Sequence, residues 1–252
     1  MPGRKTAQAF YYHRYYMKSV INSVMQQATM VDYPGRLSGL MFTSGCNFHC
    51  GFCHNAALLH GEADAETYDY EKLDEILKGF KRQWTNAITI TGGEPTIHEK
   101  LPETLEFIKK RGFLIKLDSN GSNPDILRRC LPFLDYIAMD IKCPLERYEE
   151  LVGFADTDKI SESINLIMNC GKQYEFRTTM VETYFIEEDI HTCGKMVLGA
   201  NLYVVQPFIP HEDLPSPALR KLHRTRPSFL HNAAEILRAY VKKAVVRGEQ
   251  AV

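Results

Sequence analysis

Cys46, Cys50 and Cys53 lie close together in this chain, at spacings of four and three residues. Thiolates so spaced can wrap a short loop around one compact metal centre, and their softness selects zinc or iron–sulfur. Structural zinc needs four closed ligands. A second Cys pair is missing, so His49 or His54, both inside the loop, would have to complete a Cys3His set. A four-iron cluster on three cysteines instead leaves one iron open to a ligand from outside the chain, which is a catalytic feature. Further along, Gly92-Gly93-Glu94-Pro95 offers a carboxylate for an ammonium group, on a backbone that a ligand can approach closely. Asp118 in Leu117-Asp118-Ser119-Asn120-Gly121 and Asp140 in Met139-Asp140-Ile141-Lys142 each stand where a strand would end. An Asp there either caps the next helix or serves a site.

These residues need strands to position them, and the chain supplies a strand-then-helix rhythm. Short apolar or β-branched runs at 37–43, 87–91, 114–118, 136–142, 174–181 and 202–208 predict six strands. Between them, 70–81 places Leu73, Ile76, Leu77 and Phe80 on one helical face, and 101–110 does the same with Leu105 and Ile108. Asn123-Pro124 opens another helix, and 161–169 and 187–198 supply two more. Strands alternating with helices predict an α/β fold with a parallel sheet and right-handed crossovers. Six units fall short of the eight in a full barrel, which leaves a partial TIM-like barrel or an open sheet. Either one places chemistry at the carboxyl ends of the strands.

The composition agrees. Hydrophobic residues make up 44% and charged residues 24% of 252 residues, which is ordinary for a soluble globular chain. Thirty Lys and Arg against 31 Asp and Glu give a net charge of −1, so nothing electrostatic argues for nucleic acid. No apolar run approaches the roughly 18 residues of a membrane span. The Tyr-rich start, 10–16, lacks the apolar core of a secretory signal, and Met17 offers an alternative start. Seven cysteines with no export signal point to a reducing, cytoplasmic setting, where Cys130, Cys143, Cys170 and Cys193 read as core thiols. The organisation expected is an N-terminal extension (1–29), a barrel (30–215) and a basic tail (216–252) whose last helix, about 228–246, packs on the barrel. Trp84 is expected to pack, and His13, His60, His98, His191, His223 and His231 to be surface or capping residues.

The CxxxCxxC loop, with Phe52 before its last Cys, resembles the signature of the radical S-adenosylmethionine superfamily. The Gly-Gly-Glu after the second strand resembles that superfamily's GGE motif, and the two Asp segments resemble its LDTNG and DxK elements. The resemblance implies a [4Fe-4S] cluster on Cys46, Cys50 and Cys53, with S-adenosylmethionine chelating the open iron. It implies that Gly92, Gly93 and Glu94 hold the methionine amino group and that Phe52, Asp118, Ser119, Asp140 and Lys142 contact the cofactor. It further implies that Arg177 faces the methionyl carboxylate, that His211 reaches the ribose, and that Asp118 and Asp140 help hold a monovalent cation. Met30-Val31-Asp32-Tyr33-Pro34-Gly35, with Phe42-Thr43-Ser44-Gly45-Cys46-Asn47 and Cys53-His54-Asn55, resembles the activating proteins of anaerobic ribonucleoside-triphosphate reductases, in their longer, pyruvate-formate-lyase-activase-like form. That implies hydrogen abstraction from a glycine of a partner glycyl radical enzyme, with flavodoxin or ferredoxin as electron donor. The readings left open are a pyruvate-formate-lyase-type activase, a small-molecule enzyme such as 7-carboxy-7-deazaguanine synthase, and a non-catalytic zinc-binding protein.

Overall fold

The computed structural model describes residues 18–59 and 67–249. The Tyr-rich start, Met17, His13 and His60 lie outside the described residues. One nine-stranded sheet organises the rest. Two antiparallel strands, β1 (Ser23–Val24) and β2 (Thr29–Tyr33), line one edge of β3 (Arg36–Thr43). From β3 onward every pairing is parallel: β4 (Ala87–Gly92), β5 (Leu114–Ser119), β6 (Tyr136–Asp140), β7 (Gln173–Met180), β8 (Tyr203–Pro207) and β9 (Ala244–Val246). Among the described residues β9 pairs only with β8, so the barrel stays partial and open on one side.

The helices are α1 (Ala56–Leu59), α2 (Tyr70–Arg82), α3 (Leu101–Lys109), α4 (Pro124–Cys130), α5 (Tyr148–Val152), α6 (Thr157–Asn169), α7 (Glu187–Met196) and α8 (Pro227–Leu237). Asp69 starts α2 by accepting the Lys72 N–H at 2.7 Å, and Asn123 caps α4 in the same way at 3.3 Å. Leu73, Leu77 and Phe80 of α2 are buried, as their spacing requires. A Cβ at Gly39 would lie 2.6 Å from the Phe80 ring, so this glycine lets the helix lie close against β3.

Alternation along the strands separates two environments. Met41, Ile90, Leu117, Met139 and Phe176 point outward into the main core, against the helices. Their neighbours Phe42, Thr91, Asp118, Asp140 and Arg177 line a central cavity. Tyr33, Ala87, Tyr136 and Ala138 form a small separate apolar cluster at the amino ends of the strands, which plugs the barrel floor.

Two expectations about the ends of the chain are corrected. Residues 18–29 do not stand apart as an extension: Ser23 pairs with Phe42 and Val24 with Met41, so the sheet begins before residue 30. The last helix does not run to 246. It stops at Leu237, and Ala244–Val246 becomes a seventh parallel strand. The apolar spacing of Ile236, Leu237, Tyr240 and Val241 suits a helix, but the free edge of β8 takes the β-branched Val245-Val246 as a partner. Much of the tail's positive charge has a partner within the fold. Arg226 pairs with Glu182, Arg238 with Glu235, and Arg224 donates to the Gly248 and Glu249 carbonyls. Trp84 is 92% exposed at φ 60° rather than packed.

Arg247, just past β9, reaches inward and makes two hydrogen bonds of 2.7 Å to Glu175, which also accepts the Tyr136 hydroxyl at 2.8 Å. The Glu175 side chain is fully buried, so this pair fastens the last strand to the barrel interior. Arg247→Ala strands that carboxylate and should lower stability by about 3 kcal/mol. A lower denaturant midpoint measures the loss, and adding Glu175→Gln should recover most of it.

Candidate active site

The loop after β3 carries the three cysteines and is tied down on several sides. Gly45 N–H donates to the Leu58 carbonyl, His49 N–H to that of Val152, and Ser216 N–H to that of Gly51. His98 Nε2 bonds the Ser44 carbonyl at 2.9 Å, so it braces the loop rather than sitting free on the surface. No local sequence pattern marks that role.

The glycines of the Gly-Gly-Glu turn line the cavity and are also required by the packing of the turn itself. A Cβ on Gly93 would lie 1.9 Å from the Gly45 carbonyl oxygen. One on Gly92, at φ 136°, would lie 2.2 Å from the Thr43 carbonyl oxygen. Their lack of side chains lets the end of β4 lie against the cysteine loop, and Gly93 and Glu94 donate N–H groups to Thr43 and Gly45 at 3.0 and 2.8 Å. Glu94 is thereby set beside Cys46. It is buried, and its oxygens accept from the Thr96 backbone at 2.9 Å, the Thr96 hydroxyl at 2.5 Å, the Ser119 hydroxyl at 2.8 Å and the Asn120 backbone at 2.6 Å. Burial pushes its pKa up, against the pull of these donors. Among the described residues no Lys or Arg forms a salt bridge with it. Ser119 thus acts first on Glu94.

Across the cavity the charges are paired. Arg177 reaches Asp140 at 2.5 Å and Asp118 at 3.1 Å, Lys142 reaches Asp140 at 2.8 Å, and Lys116 bonds Asp118. Burial alone would raise the Asp140 carboxyl, but the Arg177 and Lys142 charges hold it well below the usual range. Lys116, Arg177 and Lys142 balance the charge of Asp118 and Asp140, the two carboxylates expected to help hold a monovalent cation. Burial is the largest single influence on Lys142 and lowers it, but the Asp140 and Cys50 charges and the Asp140 hydrogen bond together outweigh it, so its ammonium is held charged. That charge sits 5.9 Å from the centre of the Phe52 ring, which also meets Tyr184 edge-on at 6.1 Å.

Together these groups enclose a cavity of about 450 Å³, lined by the three thiols, Phe52, Gly92, Gly93, Glu94, Asp118, Ser119, Asp140, Lys142 and Arg177. His211 is the predicted residue that is not on its wall. It lies behind His54, ring centres 5.2 Å apart, with a buried Nε2 that makes no hydrogen bond. Asp32, Asn55, Asn120, Thr179 and Gln206 join the lining without having been singled out as site residues from sequence. Asp32 arrives from the edge strand β2, a position no local pattern encodes.

The thiols fit a cluster better than a single ion. Among the described residues no three His, Cys, Asp or Glu side chains converge on one metal position. Neither loop histidine completes a zinc site: His49 lies against Gly153 and His54 stacks on His211. A cluster several ångströms across, with thiolates at separate corners, makes no such demand. Burial pushes Cys46 up to about 12 and Cys50 up to about 11, and Lys142 pulls both back. Loading a metal centre therefore displaces protons. The Glu94 carboxyl, near Cys46 and without a Lys or Arg partner among the described residues, suits a cofactor's amino group.

Residues 40–194 match the radical SAM superfamily. A Methanocaldococcus jannaschii protein provisionally named a glycyl-radical enzyme activating enzyme is 30% identical over 239 residues, which is 92% of this chain and 97% of that protein. The 7-carboxy-7-deazaguanine synthase of the same organism is 25% identical over 82% of this chain and 88% of its own. Among solved structures, a radical SAM methyltransferase from Sphaerobacter thermophilus superposes with a TM-score of 0.65 at 16% identity, over 96% of this chain and 81% of that one. The chain belongs to the radical SAM superfamily. Its members are enzymes that use a [4Fe-4S] cluster and S-adenosylmethionine, and the site has the donors for both. Among the described residues no helix is long and apolar enough to cross a membrane.

Replacing Cys46, Cys50 or Cys53 by Ala should abolish iron binding in the anaerobically reconstituted protein. Cys130 is buried at the end of α4, and Cys130→Ala should leave iron per chain unchanged. Iron loss in that variant would contradict the division of the cysteines.

Proposed function

We propose that the protein activates a glycyl radical enzyme, with anaerobic ribonucleoside-triphosphate reductase as the partner. The observation that carries this reading is the end-to-end match to the M. jannaschii activating-enzyme relative, at 97% of that protein's length. The cavity is consistent with it. Beyond the residues assigned to the cofactor, the ends of β7 and β8 add only Thr179 and Gln206, both uncharged. A backbone glycine needs no charged partner.

When bound, a [4Fe-4S] cluster and S-adenosylmethionine would supply the chemistry of hydrogen-atom abstraction from a glycine Cα of the partner, with methionine and 5′-deoxyadenosine as by-products. Flavodoxin or ferredoxin supplies the electron. Cys46, Cys50 and Cys53 hold the cluster, Glu94 receives the amino group, and the buried Phe52 and Phe48 keep water from the wall. Arg177 and Lys142 offer positive charge toward the methionyl carboxylate while bound to Asp118 and Asp140, and His211 supports the ribose side through His54. The seven unpaired cysteines suit a reducing cytoplasm.

The match to 7-carboxy-7-deazaguanine synthase favours that activity as the second reading. Anaerobic incubation with reductant, S-adenosylmethionine and the reductase should give a glycyl radical by electron paramagnetic resonance, absent when the acceptor glycine is replaced by Ala. Turnover of a pterin to a deazaguanine, with no radical on the reductase, would sink the activase reading.

A further inference from the structure

Asn120 sits between the two halves of the site and touches both. It is 5% exposed, in the turn after β5. Its backbone N–H donates to Glu94 at 2.6 Å. Its carboxamide orientation is fixed by chemistry: the Ser122 backbone N–H, which can only donate, reaches Oδ1 at 2.9 Å. That turns Nδ2 toward Asn47 Oδ1 at 3.1 Å and the Cys46 sulfur at 3.9 Å. Asn47 is held in turn by the Ser122 hydroxyl, at 2.9 and 3.2 Å. Cys46 also accepts the Phe48 backbone N–H at 3.4 Å, so two N–H groups face this one thiol.

The bond from Ser122 to Oδ1 is an ordinary Asx turn and needs only an acceptor at position 120. The amide nitrogen on the other branch meets two acceptors, Asn47 Oδ1 and the Cys46 sulfur. The second contact bears on the site: an N–H aimed at a cluster sulfur is stabilised further when reduction adds negative charge there.

We propose that Asn120 is a positioning residue whose side-chain N–H, aimed at the Cys46 sulfur, raises the reduction potential of the cluster. The same residue's main chain fixes the carboxylate that receives the cofactor. Cluster potential and cofactor placement therefore share one rigid turn. Any replacement other than Pro keeps the N–H to Glu94, so the two roles can be separated. The inference rests on the cluster that superfamily membership implies and is independent of which partner donates the hydrogen.

Asn120→Asp keeps the shape and the turn acceptor but exchanges the donor for a negative oxygen. Asn120→Ala removes both. Anaerobically reconstituted proteins would be compared for iron per chain and for midpoint potential, by redox titration followed by electron paramagnetic resonance without S-adenosylmethionine. The expected result is wild-type iron content and a more negative potential in both variants, most negative in Asn120→Asp. Should Asn120→Ala lose iron because its turn fails, Asn120→Asp decides alone. An unchanged potential in Asn120→Asp, or loss of its iron as well, would overturn the proposal while leaving the activase reading untouched. A wild-type protein with no four-iron signal would remove both.

Discussion

The site depends on one close backbone contact, where the end of β4 meets the loop leaving β3. Gly93 passes so near the Gly45 carbonyl that a single methyl group would fill the space between them. The contact puts a glutamate and a cysteine from separate βα units side by side, and two main-chain hydrogen bonds hold it there. Parallel pairing of β3 with β4 brings Thr43 level with Gly92 and sets that register. The cysteine loop then folds over a floor already in place, with Val152 and Ser216 gripping its far sides.

Charge inside the barrel follows a simple division. Three inward-facing carboxylates have cation partners: Glu175 with Arg247, Asp118 with Lys116 and Arg177, Asp140 with Arg177 and Lys142. Buried charges left single are costly, and such pairing lets the lumen be polar without collapsing the fold. Glu94 is held instead by neutral donors, and among the described residues no Lys or Arg forms a salt bridge with it. In the reading proposed above, this buried carboxyl near Cys46 is where the cofactor's amino group binds. The apolar plug of Tyr33, Ala87, Tyr136 and Ala138 closes the barrel below this polar column.

Much of this was legible in the sequence because it is local. Cysteine spacing, the Gly-Gly-Glu turn and the Asp residues at strand ends all sit within short segments, and the six predicted strands recur close to their expected bounds. What escaped depends on tertiary partners. The helical spacing of 228–246 is real, yet the exposed edge of β8 drew its second half into a strand. Residues 18–29 carry no strong strand pattern, and they gain their place from the edge of β3. The glycines at 92 and 93 line the cavity, but their contact with a loop nearly fifty residues earlier cannot be read from their neighbours. His211 shows the same limit: its chemistry suits the pocket wall, but His54 stands in front of it.

The most direct measurement is electron paramagnetic resonance of the dithionite-reduced, reconstituted protein with and without S-adenosylmethionine, for the wild type and Glu94→Gln. A four-iron signal that shifts with the cofactor in the wild type, and shifts only at much higher cofactor concentration in Glu94→Gln, is the predicted result. A colourless zinc protein, or a signal that responds equally in both, would contradict the reading of Glu94 as the seat of the cofactor's amino group at an open iron.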